Sequence, residues 1–207
     1  MSQNLAVLST HDLIGERHGR RLWGPLGLTL PAGTALHVQG PNGCGKTTLL
    51  RTLAGLRRPA AGTLARRGTT WFVGHATPLA EGLGAAQNLR LWLDLAGAAA
   101  VDQDAVGAWL ARWALPAHRP VRDLSAGQRR KLVLAPLALQ PRTLWLLDEP
   151  FDALDQAGCD ALAALAAEHL GRGGVLVLSS HQALPATFPI CQALVLGTAS
   201  PALRQAA

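Results

Sequence analysis

Charge, cysteine and lysine are all scarce in this chain, and each scarcity removes a class of answer. Only 15% of its 207 residues are Asp, Glu, Lys or Arg, while 49% are hydrophobic. That balance excludes a disordered chain and gives one α/β domain enough apolar material for a sizeable core. The three cysteines, Cys44, Cys159 and Cys191, are far apart and form no CxxC or Cys/His cluster. Neither a disulfide framework nor a zinc site is expected. Mean hydropathy is positive, +0.18, yet no uninterrupted apolar run approaches the ~18–20 residues that cross a bilayer. The start, Met1-Ser2-Gln3-Asn4, lacks a basic segment followed by an apolar one, so no export signal is read there. These absences predict a protein that stays in the cytoplasm and meets any membrane through a partner. The formal charge is +6, carried almost wholly by arginine, because Lys46 and Lys131 are the only lysines. No basic-aromatic alternation marks a nucleic-acid surface. A solvated arginine-rich surface accounts for the charge; nucleic acid or anionic headgroups stay open as alternatives.

Short apolar runs then alternate with glycine turns. Residues 26–30, 35–39, 62–64, 70–73, 143–147, 175–178 and 192–196 read as strands. Residues 46–54 and 156–170 read as helices. Between about 76 and 134 the pattern becomes helical. Leu89, Leu91, Trp92, Leu93 and Leu95 crowd one stretch, and Val106, Trp109, Leu110 and Trp113 recur at spacings of three and four. Pro116 and Pro120 interrupt it. Strands apolar throughout and separated by helices predict a mainly parallel sheet covered on both faces. The helical middle reads as an insert within a single domain spanning 1–207, its tryptophans as core anchors. Repeats and low-complexity linkers are absent.

The strongest signal is Gly40-Pro41-Asn42-Gly43-Cys44-Gly45-Lys46-Thr47-Thr48, which fits G-x-x-x-x-G-K-[ST] at every fixed position. Glycines let the backbone curl so that several N–H groups face one anion. The following helix adds its free N-terminal N–H groups and positive dipole end. Lys46 supplies a compact charge for the β- and γ-phosphates of ATP, and Thr47 a hydroxyl for Mg²⁺. Only the backbone of Cys44 is required there.

A second constellation is Leu144-Trp145-Leu146-Leu147-Asp148-Glu149, an apolar run ending in two acids. The carboxyl end of a buried strand opens onto the ligand crevice. Asp148 is placed to hold Mg²⁺ through water, and Glu149 to polarise an attacking water. His181 follows the run 175–178, and reads either as a structural histidine or as a sensor of the γ-phosphate. Leu124-Ser125-Ala126-Gly127-Gln128 reads as a helix start closed by a capping box of Ser125 and Gln128. A capped helix N-terminus is also an anion site, so the chain has two such ends, far apart in sequence.

In this order the segments resemble the nucleotide-binding domains of ATP-binding cassette (ABC) transporters. Walker A lies at Gly40–Thr47, the signature at Leu124–Gln128, Walker B at Leu144–Asp148 with Glu149 next, the D-loop at Ala153-Leu154-Asp155, and a switch histidine at His181. The resemblance implies a P-loop NTPase (RecA-like) core, an inserted α-helical subdomain and an N-terminal antiparallel β part. It implies a head-to-tail homodimer on ATP, in which Ser125, Ala126, Gly127 and Gln128 of one copy close the site of the other. Glu149 is then the catalytic base, His181 the γ-phosphate contact and Asp155 a coupling residue. There are three departures from the family pattern. Arg17 and His18 stand where an aromatic ring stacks on adenine, a role a guanidinium plane can take. His75 stands at the Q-loop glutamine, and Ala126 replaces the second signature glycine.

Minimal length, His75, Leu-Ser-Ala-Gly-Gln, Leu-Trp-Leu-Leu-Asp-Glu-Pro-Phe and His181-Gln182 resemble the cytochrome c maturation (haem exporter) branch. That likeness implies a place on the cytoplasmic face of the inner membrane, with integral membrane partners of the B, C and D type. ATP use there drives release of a haem-loaded chaperone. The scattered His11, His37 and His118 read as structural, so no direct haem binding and no nucleic acid is expected. A different ABC transporter, or an ABC ATPase acting on ribosomes or nucleic acid, is the alternative. A P-loop kinase or GTPase lacks a reason for the signature helix, and no Asn-Lys-x-Asp motif occurs.

Overall fold

A computed structural model describes residues 6–98, 101–197 and 202–204; the N-terminal segment read above for an export signal lies outside them. Two compact units divide the chain: Met1–Gly74 with Arg142–Pro150 and Ala166–Ala207, and His75–Pro141 with Phe151–Leu165.

The first unit holds two sheets. One is antiparallel, in the order β2-β1-β4, from β1 (Leu8–Arg17), β2 (Arg20–Leu30) and β4 (Ala61–Arg66). The other runs β5-β6-β7-β3-β8-β9, from β3 (Ala35–Gln39), β5 (Thr70–Val73), β6 (Leu144–Asp148), β7 (Val175–Ser179), β8 (Gln192–Val195) and β9 (Ala202–Arg204). Its first five strands are parallel and β9 pairs antiparallel with β8. Every residue of β6 and β7 is buried, as the unbroken apolar runs require of strands covered on both faces. Helix α1 (Lys46–Leu53) packs on β6 and β7 and also on β1. Leu49, Leu50 and Leu53 are fully buried there, in one core with Leu8, Leu13 and Leu28 of the antiparallel sheet and Leu36, Leu146 and Val177 of the parallel one.

Strand β1 does not stand out in the sequence, and β2 is six residues longer at its start than the apolar run that marks it. Their pairing slips at three places between Thr10 and Glu16, so alternation of period two breaks where it is needed as a signal. Pro25 sits inside β2, which is tolerated because β2 is an edge strand.

In the second unit lie α2 (Ala85–Leu95), α3 (Gln103–Arg112), a 3₁₀ turn at Val121–Asp123, α4 (Ala126–Leu139) and the first part of α5 (Gln156–Gly171). Trp109 and Trp113 stack with ring centroids 5.0 Å apart and are buried with Leu89, Leu93, Val106 and Leu110. Trp92 is only half-buried, and Leu91 and Leu95 are exposed. The crowded stretch therefore contributes Leu89 and Leu93, four apart on one face, rather than all five side chains. The 3₁₀ turn begins just after Pro120, close to where the proline breaks were expected. Among the described residues, no helix is long and apolar enough to cross a membrane.

Candidate functional site

Strand β3 delivers the chain into Gly40–Gly45, and α1 begins at Lys46. Gly40, Gly43 and Gly45 have φ of 142°, 81° and 102°, the region where a side chain is costly. A Cβ on Gly45 would lie 2.8 Å from the Trp23 ring, whose Nε1–H donates to Gly45 O at 3.2 Å. Trp23 thus presses the loop from beneath. A Cβ added on Gly43 would meet nothing within 4 Å, so the loop is open on that side. The helix start has no side-chain cap, leaving its first N–H groups for an anion. Lys46 is 7% exposed and its Nζ donates to Gly40 O at 2.8 Å.

Asp148 ends β6, the strand separated from β3 by β7. Thr47 Oγ1 donates to its two oxygens at 2.8 and 3.1 Å, and Ser179 Oγ to Oδ1 at 2.8 Å. Asp148 is 1% exposed. Glu149 follows with φ 50°, a costly conformation for a non-glycine residue that concentrates at working sites. Its N–H donates to Ser179 O at 3.2 Å and is shared with Ser179 Oγ at 3.1 Å. That turn aims the Glu149 carboxylate at His181: the His181 backbone N–H and ring Nδ1 lie 2.9 and 3.0 Å from Oε2. Lys46, Thr47, Asp148, Glu149 and His181, read from three distant segments, are thus gathered at the carboxyl ends of adjacent parallel strands. Ser179 orders both acids and belongs to none of the motifs legible in the sequence. Its signal was a hydroxyl closing a fully apolar run.

Arg17 is exposed at the end of β1, where His18 (φ 51°) and Gly19 (φ 73°) turn the chain into β2. Of the histidines read as structural, His37 is buried, whereas His11 is exposed beside Asp12. Cys44, Cys159 and Cys191 are free thiols. Burial pushes Cys191 up to about 11.

In the second unit, Ser125 caps α4 as the spacing predicted. Gln128 N–H donates to Ser125 Oγ at 3.2 Å, and Ser125 N–H to Gln128 Oε1 at 3.0 Å. Gly127 faces the D-loop: a Cβ there would meet Ala153 O at 2.7 Å. Lys131, on the same helix, reaches both Asp155 oxygens at 2.9 and 3.0 Å, and its ammonium holds the Asp155 carboxyl below the usual range. His75 Nδ1 lies 3.2 Å from Asp152 Oδ2. These two line a cavity of about 340 Å³ with Thr77, Leu124, Ala126 and Arg129.

A glycine cradle on a helix start, a buried acid on the Thr47 hydroxyl and a second acid beside it define a P-loop nucleoside triphosphatase. The family model described as ABC transporter matches residues 24–152, and the chain belongs to that family, as an ATP-binding, ATP-hydrolysing subunit. Among its relatives is the "Cytochrome c biogenesis ATP-binding export protein CcmA 2" of Cupriavidus metallidurans, 44% identical over 196 residues, covering 87% of this chain and 92% of that protein. The CcmA protein of Pseudomonas aeruginosa is 43% identical over 192 residues, covering 86% and 94%. A solved ATP-binding subunit of an ABC transporter shares the fold, with TM-score 0.80 at 23% identity over 92% of this chain and 85% of that one.

Proposed function

We propose that this chain is the ATP-hydrolysing subunit of a cytochrome c biogenesis export complex, working as a head-to-tail pair on the cytoplasmic side of the membrane. The observation that carries the catalytic part is the Thr47–Asp148–Ser179 cluster with Glu149 and His181 beside it. The transport assignment rests on the relatives at 41–44% identity over most of the chain.

The P-loop backbone and Lys46 bind and orient the triphosphate. Thr47 Oγ1 and the Asp148 carboxylate are hard oxygen ligands in contact, the donor chemistry that Mg²⁺ takes. When bound, the ion supplies Lewis-acid neutralisation of charge on the transferring phosphate. Glu149 accepts the proton of the attacking water as its oxygen bonds to the γ-phosphorus and the bond to ADP breaks. Glu149 is engaged with His181 through the His181 backbone N–H and ring. His181 turning to the γ-phosphate releases the carboxylate for water, which ties base activation to substrate arrival. Ser125, Ala126, Gly127 and Gln128 close the partner copy's site, with the positive N-terminal end of α4 facing phosphate. Arg17 stacks on the base, and His75 and Asp155 couple the site to its surroundings. Integral membrane partners of the B, C and D type carry the haem chemistry, and hydrolysis drives release of the loaded chaperone.

The test is Glu149→Gln. ATP turnover falls at least about 100-fold, while ATP binding is retained and the protein sediments as a dimer with ATP and as a monomer without it. Turnover at the wild-type rate removes Glu149 as base; an ATP-insensitive monomer removes the paired site.

A further inference from the structure

His37 is a buried titratable group that the hydrolytic steps above do not use. It lies on β3, three residues before Gly40, and is 6% exposed. Its strand neighbours Leu36 and Val38 are fully buried and apolar. A polar ring in such a row is costly unless both nitrogens are satisfied, and here they are. Gln39 Nε2–H donates to Nδ1 at 3.0 Å. That leaves Nε2 to carry the proton, and it faces Ser180 O at 3.4 Å. Burial, opposed by the Ser180 contact, pushes the imidazole below its ordinary value, so the neutral ring with this one tautomer prevails at pH 7.

Ser180 immediately precedes His181. The two share a planar peptide, so a hold on the Ser180 carbonyl fixes the direction of the His181 N–H and its Cα. Ser180 also closes a small turn: its Oγ donates to Gln182 O at 2.8 Å and accepts from Gln182 N at 3.1 Å. The segment 180–182 is therefore tethered at two points. Glu149, from the end of β6, holds the His181 N–H and ring, and His37, from β3, holds the carbonyl before it. Only the first tether must loosen for His181 to reach phosphate. The second is placed to stay, because its donor belongs to the strand that leads into the P-loop.

We propose that His37 is a positioning residue for ATP hydrolysis: it anchors the Ser180 carbonyl so that His181 swings from a fixed pivot registered to the phosphate loop. This rests on the reading of His181 as the γ-phosphate contact. A displacement of about 1 Å in a positioned group costs up to 100-fold in rate, so a loosened pivot is expected to show in turnover before binding.

The experiment uses the full chain with His37→Phe, His37→Gln, His181→Ala and the double variant His37→Phe/His181→Ala, measuring ATPase kcat, KM and thermal midpoint. Phe fills the ring's space without a donor; Gln keeps an amide N–H at similar reach. The expected result is a kcat about 10-fold lower for His37→Phe, KM within about twofold, and recovery of at least half the wild-type kcat in His37→Gln. On the His181→Ala background His37→Phe adds no further loss, since the two act through one group. The proposal is overturned if His37→Phe keeps wild-type kcat. It is equally overturned if both His37 variants lose kcat in step with the thermal midpoint, or if the Phe effect persists in full without His181. Wild-type turnover in His181→Ala alone removes the role given to His181, and this proposal with it; that single arm identifies which reading failed.

Discussion

Lys46 brings its ammonium into a nearly closed position with Gly40 O as partner. A triphosphate offers it a charged acceptor instead of a neutral one, and such bonds contribute about 1.5–3 kcal/mol. Lys46→Ala is expected to weaken ATP binding about 10- to 100-fold, measured by titration with a fluorescent ATP analogue; unchanged affinity would remove the P-loop reading. His169 carries a second residue-level prediction. It is buried, stacked on Trp145 with centroids 3.9 Å apart, and donates from Nε2 to Val175 O at 3.1 Å. Burial lowers its pKa below the unfolded value of 6.5, partly opposed by the Val175 bond. The unfolded chain therefore takes up this proton first, so its contribution to stability is complete above about pH 6.5 and declines as pH falls. Urea midpoints at pH 7.5 and 5.5 should separate less in His169→Gln than in the wild type. At this scale the sequence reveals residues whose type is dictated at a fixed spacing: Gly40 to Thr48, Asp148, Glu149, His181. It hides Ser179, His37 and Lys131, because their partners come from other segments and are specified only by strand register and helix packing.

Two glycines in helices of the second unit separate propensity from packing. Gly107 lies inside α3 with nothing within 4 Å of an added Cβ, whereas on Gly127, in the first turn of α4, that Cβ meets Ala153 O at 2.7 Å. Helix propensity alone favours alanine at both by about 0.5–1 kcal/mol. The contact reverses the sign at Gly127, where forcing atoms into a packed site costs about 1–3 kcal/mol. Gly107→Ala is expected to raise the thermal midpoint and Gly127→Ala to lower it, each by a few degrees at about 2–4 °C per kcal/mol, as read by calorimetry. Element ends follow the same division. The start of α4 was legible because Ser125 and Gln128 satisfy each other locally. The rest of that helix shows no amphipathic stripe, since Arg130 and residues 132–137 are all buried. Nor does the sequence show why Asn88 is fully buried: its amide bonds Ala80, Leu83 and Gly84 and so fixes the loop that leads into α2.

Across the whole chain, the first unit is assembled from three separate segments and the second from two. The switch from strand to helical pattern near 76 gave away the inserted part, but the return of residues 151–165 to the same unit follows from packing around Ala161 and Leu165 and has no periodic mark. Attachment to membrane partners is tested by affinity purification from detergent-solubilised membranes, which is expected to retain integral membrane proteins after nuclease treatment. Recovery of nucleic acid with no membrane protein would favour the ribosome-directed alternative. The scarcity of lysine has a practical consequence. Both side-chain amines are already committed, Lys46 to the loop that cradles phosphate and Lys131 to the acid of the D-loop. Amine-directed reagents thus find no idle surface lysine to consume them. Acylation at either position therefore reports on a single defined place in the chain, the phosphate loop for one and the Asp155 ion pair for the other.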